Sequence, residues 1–169
     1  ALLKTFNIDE SKLVNFPIGI HKNFLKENKN TKNLEEREFD LLFSLRYYDK
    51  NIHYKSRKRY EFIVNLSNLF SDLNYNVCIL GEGWNQLGNY LSKKVSIIET
   101  DYSKYADIYQ NSKIYCNPSL VEGGPLSLIE AFASGCIIFT TPVGLSFNIC
   151  LKDDLSFLMP FDSNIYYWK

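Results

Sequence analysis

The sequence lacks net charge: 19 Lys and Arg balance 19 Asp and Glu over 169 residues. No global field therefore draws the chain toward nucleic acid or an acidic membrane surface. No basic and aromatic residues alternate in the way that stacks a single strand of nucleic acid. No apolar run approaches the length of a membrane span. Ala1-Leu2-Leu3-Lys4 carries no signal-peptide pattern, and the chain reads as beginning inside a longer protein. Histidine is scarce. The 2 present, His21 and His53, lie in polar stretches that read as solvated loops. The 4 cysteines, Cys78, Cys116, Cys136 and Cys150, have no C-x-x-C spacing and no accompanying His. A zinc site is not expected from them. Buried, reduced thiols are, which favours a cytoplasmic setting, including the cytoplasmic face of a membrane. Asp153-Asp154 has no third carboxylate nearby, so no metal site is expected there either.

What the chain does have is apolar content of 46%, enough for one domain with a real core. Short apolar runs alternate with helical stripes. Phe39–Leu45, Val77–Leu80, Val95–Ile98, Ile114–Cys116 and Cys136–Thr140 read as strands. Tyr60–Leu73 has apolar residues at helical spacing, and Lys104–Gln110 reads as a short helix. The run from Lys26 to Glu38 reads as solvated, and Tyr47-Tyr48 as a surface pair. This alternation predicts an α/β fold, a Rossmann-like parallel sheet with helices on both faces. Ligands of such sheets bind outside the carboxyl ends of the strands. Gly81, Thr100 and Glu122 each follow a strand, so all three are expected on one rim.

The segment with most chemical content runs from Glu122 to Glu130: Glu122-Gly123-Gly124-Pro125-Leu126-Ser127-Leu128-Ile129-Glu130. Strand Ile114–Cys116 and Asn117-Pro118-Ser119 precede it, so the unit reads as strand, glycine turn, helix. The helix is expected to begin at Pro125, which has no N–H to leave unpaired. It is expected to end at Gly135, a C-terminal cap residue. Leu126, Ile129, Phe132 and Ala133 form its expected apolar stripe, with Glu130 at the border. A helix N-terminus suits a phosphate, and glycines let a ligand approach the backbone. Glu122 stands at the mouth of such a site. A carboxylate at Glu130 accepts hydrogen bonds only, which suits a pair of sugar hydroxyls.

Together these residues resemble a known family. Two glutamates with seven residues between them look like the E-x7-E motif of retaining glycosyltransferases of the GT-B fold, and Glu130-Ala131-Phe132-Ala133-Ser134-Gly135 is similar to the end of the family's helix. The resemblance runs from about Phe16 to about Gly144. It implies the C-terminal, nucleotide-sugar-binding half of such an enzyme. Residues 1–20 would be the junction with the missing N-terminal half, 21–150 the donor-binding domain, and 151–169 a C-terminal segment of uncertain packing. Asn15-Phe16-Pro17-Ile18-Gly19-Ile20 looks like the family's junction motif.

The resemblance also implies roles. Arg46, after the first strand, and Lys58 would grip the donor diphosphate; Lys50 and Lys55 are rivals of Lys58, and the family's glycine after the lysine is Arg59 here. Fixed cations there stabilise charge on the departing diphosphate. Gly81 and Glu82, with Gly83, would border the nucleotide, and Thr100 would meet the base through its backbone. Glu130 would hold the ribose hydroxyls and Glu122 the transferred sugar. Gly123, Gly124 and Pro125, with the N–H groups near Leu126 and Ser127, would receive phosphate. The implied activity is transfer of a hexose from a nucleotide-diphosphate sugar to a glycan or lipid-linked hydroxyl, with retention. No metal or other cofactor is implied, and the isolated chain is expected to be inactive. An epimerase on the same fold and a non-catalytic nucleotide-sugar-binding scaffold are the alternatives; the few histidines argue against the first.

Overall fold

The computed structural model of the chain describes residues 19–25, 32–50, 52–150 and 155–168. The expected junction segment, except Gly19 and Ile20, lies outside the described residues, and so does Asp153-Asp154. Six strands form one sheet in the order β3-β2-β1-β4-β5-β6. They are β1 (Phe39–Ser44), β2 (Val77–Leu80), β3 (Ser96–Ile98), β4 (Ser112–Asn117), β5 (Ile137–Thr140) and β6 (Ser156–Leu158). Every neighbouring pair is parallel. The helices are α1 (Ile52–Lys58), α2 (Tyr60–Asp72), α3 (Tyr105–Gln110), α4 (Leu126–Ala133) and α5 (Ser146–Cys150).

β2 is buried at every position, as a sheet covered on both faces requires. On one face Leu41, Phe43 and Ile79 pack with Ile63 and Leu66 of α2 and with Trp84. On the other, Leu42, Cys78 and Ile138 pack with Tyr109 of α3 and with Leu128 and Ala131 of α4. Cys78, Cys116 and Cys136 are buried free thiols, and burial pushes the Cys78 and Cys136 thiols up to about 12.

Several local expectations change. His53 is expected in a solvated loop, yet it lies in α1. That helix has no apolar stripe; it is held by the Tyr54 ring, which packs edge-on against Tyr48 at 4.7 Å and tilts against Tyr60 at 5.9 Å. Tyr47 is not a surface residue. It is buried against Tyr60 and Trp84. β6 lies in the C-terminal segment and extends the sheet beyond β5.

The apolar stripe of α4 is also different. Leu126 and Phe132 are 41% and 42% exposed, whereas Leu128, Ala131 and Glu130 are buried. Apolar residues surround this short helix on most sides, so periodicity alone does not choose the buried face. The helix begins at Leu126, with Pro125 as its extended N-cap. It ends in a Schellman motif: Cys136 N–H donates to Ala131 O, Gly135 N–H donates to Phe132 O, and Gly135 has φ +70°. The buried Arg37 guanidinium adds donors to Ser134 O and Gly135 O, and to Ser112 O of β4. One side chain thereby fixes the far end of α4 to the sheet.

Candidate functional site at the carboxyl rim

Strand order reverses direction between β1 and β4, the switch point at which doubly wound sheets open a crevice. The loops after these two strands therefore share the rim. Arg46 follows β1, and the segment Pro118–Pro125 joins β4 to α4. Parallel strands place Gly81 after β2 and Thr100 after β3 on the same rim.

Lys58 ends α1, and its Nζ pairs with Glu122 Oε1. The two side chains are 13% and 12% exposed, so water screens them little. The backbone reinforces the pair: Leu120 N–H donates to Arg57 O at 2.7 Å. Lys55 is occupied elsewhere, on Asp49 at 2.9 Å. The direction of Lys58 depends on Arg59, which takes a left-handed conformation, φ +56° and ψ +48°, between α1 and α2. Such a conformation strains a residue with a Cβ. The Arg59 side chain is held over the Phe62 ring at 3.9 Å and donates to Ser163 O at 3.2 Å.

Arg46 is exposed and pairs with Glu82 at 2.9 Å. Gly81 and Gly83 are explained by the protein itself. A Cβ on Gly81, at φ +138°, would lie 2.2 Å from Leu45 O; on Gly83, at φ +88°, it would lie 2.6 Å from Tyr47 O. These glycines let the loops after β1 and β2 touch. Gly123 is different: a Cβ there meets nothing within 4 Å. Its carbonyl is backed by Gly144, at φ +52°, whose own Cβ would come within 2.6 Å of that oxygen.

At α4 the first N–H groups, those of Leu126 and Ser127, have no partner one turn back. Ser127 Oγ lies 2.8 Å from the Tyr115 hydroxyl, so this residue offers its backbone, not its side chain, to the rim. Glu130 is 3% exposed. Burial raises its pKa; the hydroxyls of Tyr102 and Tyr109 oppose that rise. Tyr102 donates to Glu130 Oε1. Burial, and then the carboxylate, push the Tyr102 hydroxyl up to about 12, so it remains a donor at neutral pH. The fully buried Tyr109 hydroxyl lies behind it and acts on the same carboxylate.

The structure thus brings Lys58 and Glu122 together, places Arg46 against Glu82, and buries Glu130 under Tyr102. Thr100 is half-buried, just ahead of the 3-10 turn Tyr102–Lys104. Sequence reasoning missed Tyr102, whose contact with Glu130 spans 28 positions and has no local signal. An open groove of about 1070 Å³ lies to one side, between α2 and the 3-10 helix Trp84–Leu87; Lys55 lines it, but neither glutamate does. Among the described residues, no three His, Cys, Asp or Glu side chains cluster as metal ligands, and no helix is long and apolar enough to cross a membrane.

The fold and rim define a doubly wound, Rossmann-like α/β domain. Residues 44–163 match the family described as glycosyl transferases group 1, and the chain belongs to that family. Solved structures share the fold. WaaG, a glycosyltransferase involved in lipopolysaccharide biosynthesis, aligns with a TM-score of 0.73 at 14% identity over 97% of this chain and 47% of its own. A glycosyltransferase from Rickettsia africae aligns with a TM-score of 0.65 at 19% identity, over 96% of this chain and 46% of its own. The C-terminal domain of a glycosyl transferase group 1 family protein, LpcC from Francisella tularensis, aligns with a TM-score of 0.58 at 19% identity, over 86% of this chain and 82% of its own. The chain spans less than half of the WaaG and Rickettsia africae proteins, and 27% of TarM. No curated protein sequence matches significantly.

Proposed function

We propose that this chain is the donor-binding part of a retaining glycosyltransferase. It would take a nucleoside-diphosphate hexose and pass the hexose to a hydroxyl of a glycan or lipid-linked acceptor. The acceptor would be held by a part of the enzyme outside this chain. The observation that carries the reading is the Lys58–Glu122 pair at the mouth of α4, with Glu130 buried in the same helix. In this reading the α4 N–H groups, Lys58 and Arg46 meet the diphosphate. They favour the charge that grows on it as the bond to the sugar carbon breaks. Glu130 accepts from the ribose and Glu122 from the sugar. Cationic side chains meet the phosphates, so the reading calls for no metal.

Thermal-shift measurement against nucleoside diphosphates and their sugars tests it. A ligand at a hundredfold excess over Kd favours the folded state by about 2.7 kcal/mol. The expected result is an upward shift for one base, lost in Glu130→Gln. No shift for any base at millimolar ligand would overturn the reading. Labelled donor incubated with the chain alone is expected to yield no transfer product.

A further inference from the structure

Arg59 is the one residue between α1 and α2, and its backbone is left-handed at φ +56° and ψ +48°. Glycine adopts that conformation freely, whereas a Cβ strains it. The arginine carries a second cost. Its Nη1 is buried with no hydrogen-bond partner among the described residues. Against these costs stand two contacts. Nη2 donates to Ser163 O at 3.2 Å, and the guanidinium lies 3.9 Å from the centre of the Phe62 ring. Trp168 braces both partners: its ring packs edge-on against Phe62 at 5.7 Å, and its Nε1–H donates to Ser163 Oγ at 2.7 Å. Ser163 and Trp168 are themselves buried. On the other side of Arg59, the adjacent Lys58 pairs with Glu122.

We infer that Arg59 is a positioning residue, through which Ser163 and Trp168 of the C-terminal segment hold the turn that keeps Lys58 on Glu122. Its consequence for a ligand rests on the reading of Lys58 as a diphosphate-holding group. With residue 59 in the right-handed region, α1 and α2 would merge into one helix, and the direction in which α1 presents Lys58 would change. A flexible lysine stem is aimed by the backbone that carries it. The tie to the C-terminal segment offsets the strain that favours this change. The guanidinium is engaged by Phe62 and Ser163, so it acts through Lys58 and not on the ligand.

Calorimetric titration of UDP, GDP, ADP and CDP into the parent and variants at residues 59 and 168, each below its unfolding midpoint, tests this. Arg59→Met keeps the Cβ strain and loses the bond to Ser163; it is expected to weaken the recognised diphosphate about tenfold. Arg59→Gly adopts the turn without a tie and is expected to stay within about twofold of the parent. Trp168→Leu is expected to weaken binding about threefold in the parent and to change nothing in Arg59→Gly. If Trp168→Leu does not fold, the two residue-59 variants decide alone. Parent-like binding by Arg59→Met would overturn the inference. A loss in Arg59→Gly as large as in Arg59→Met would make the guanidinium a ligand contact and overturn it too, as would an equal loss from Trp168→Leu in both backgrounds. If no nucleotide binds the parent, the donor-site reading falls, and the Lys58–Glu122 coupling decides this inference by itself. Urea unfolding with Lys58→Met and Glu122→Gln measures that coupling: lost in Arg59→Met and kept in Arg59→Gly, it sustains the inference; equal in the parent and Arg59→Met, it overturns it.

Discussion

Lys58 and Glu122, 64 positions apart in sequence, form an ion pair that joins the end of α1 to the loop after β4. The pair sits at the switch point of the sheet with little solvent around it. Removing one partner there leaves the other charge uncompensated. Lys58→Met is expected to destabilise the fold by about 2 kcal/mol, and Glu122→Gln combined with it to restore much of the loss. A double-mutant cycle by urea unfolding measures the coupling. A coupling near zero would mean that the two side chains are independently solvated.

Two glycines of the rim separate protein architecture from ligand space. Gly81→Ala drives a Cβ into the Leu45 carbonyl at a φ that L-residues rarely adopt. It is expected to cost roughly 3 kcal/mol or more. Gly123→Ala meets open space, so the unfolding midpoint should stay within about 0.5 kcal/mol of the parent. If phosphate or sugar approaches that backbone, the same change lowers nucleotide affinity about tenfold. Denaturant melts and calorimetry on the two variants distinguish the roles.

Much of this architecture is legible in the sequence. The β2 strand ending in Gly81, and β4 running into Glu122, are short apolar runs closed by turn residues, and their parallel pairing follows from the helices between them. The loop glutamate and the cation after β1 fall on one rim for that reason. What is not legible depends on tertiary contact. α1 is a polar stretch held in place by packing of the Tyr54 ring. The buried face of α4 cannot be chosen from a helix apolar on most sides. Arg59, with φ +56°, is not itself a residue type that signals a left-handed position; only the glycine that the family has there does. The Tyr102–Glu130 bond and the Arg37 clamp each join residues with no local pattern between them.

Arg37 is expected to matter to stability alone. Its guanidinium satisfies Ser134 O and Gly135 O at the end of α4 and Ser112 O in β4, at 3.2, 3.0 and 2.7 Å. Arg37→Met takes the guanidinium donors away from all three carbonyls and is expected to cost about 3 kcal/mol. Nucleotide affinity, measured below the lowered melting temperature, should not change. A loss of affinity with stability intact would place Arg37 in a different role.

Glu130 should carry a pH signature. Burial raises its folded-state pKa above the unfolded value. The folded state then holds the proton more tightly, so stability from this group falls as pH rises from the unfolded pKa through the folded one. Above that window the buried charge is a standing cost. Glu130→Gln removes the charge and keeps an acceptor for Tyr102. The variant is expected to be at least as stable as the parent at pH 8, with a smaller difference at pH 4. Unfolding midpoints at the two pH values check this; a variant less stable at pH 8 would show that the carboxylate contributes favourably where it lies.

In the proposed reading Glu122 and Glu130 hold opposite ends of one nucleotide sugar. Calorimetric titration of the parent, Glu122→Gln and Glu130→Gln with a nucleoside diphosphate, and then with the matching nucleotide sugar, tests it most directly. Glu130→Gln is expected to weaken both ligands, whereas Glu122→Gln is expected to weaken the nucleotide sugar and spare the diphosphate. Equal affinities across all three proteins, for both ligands, would contradict it.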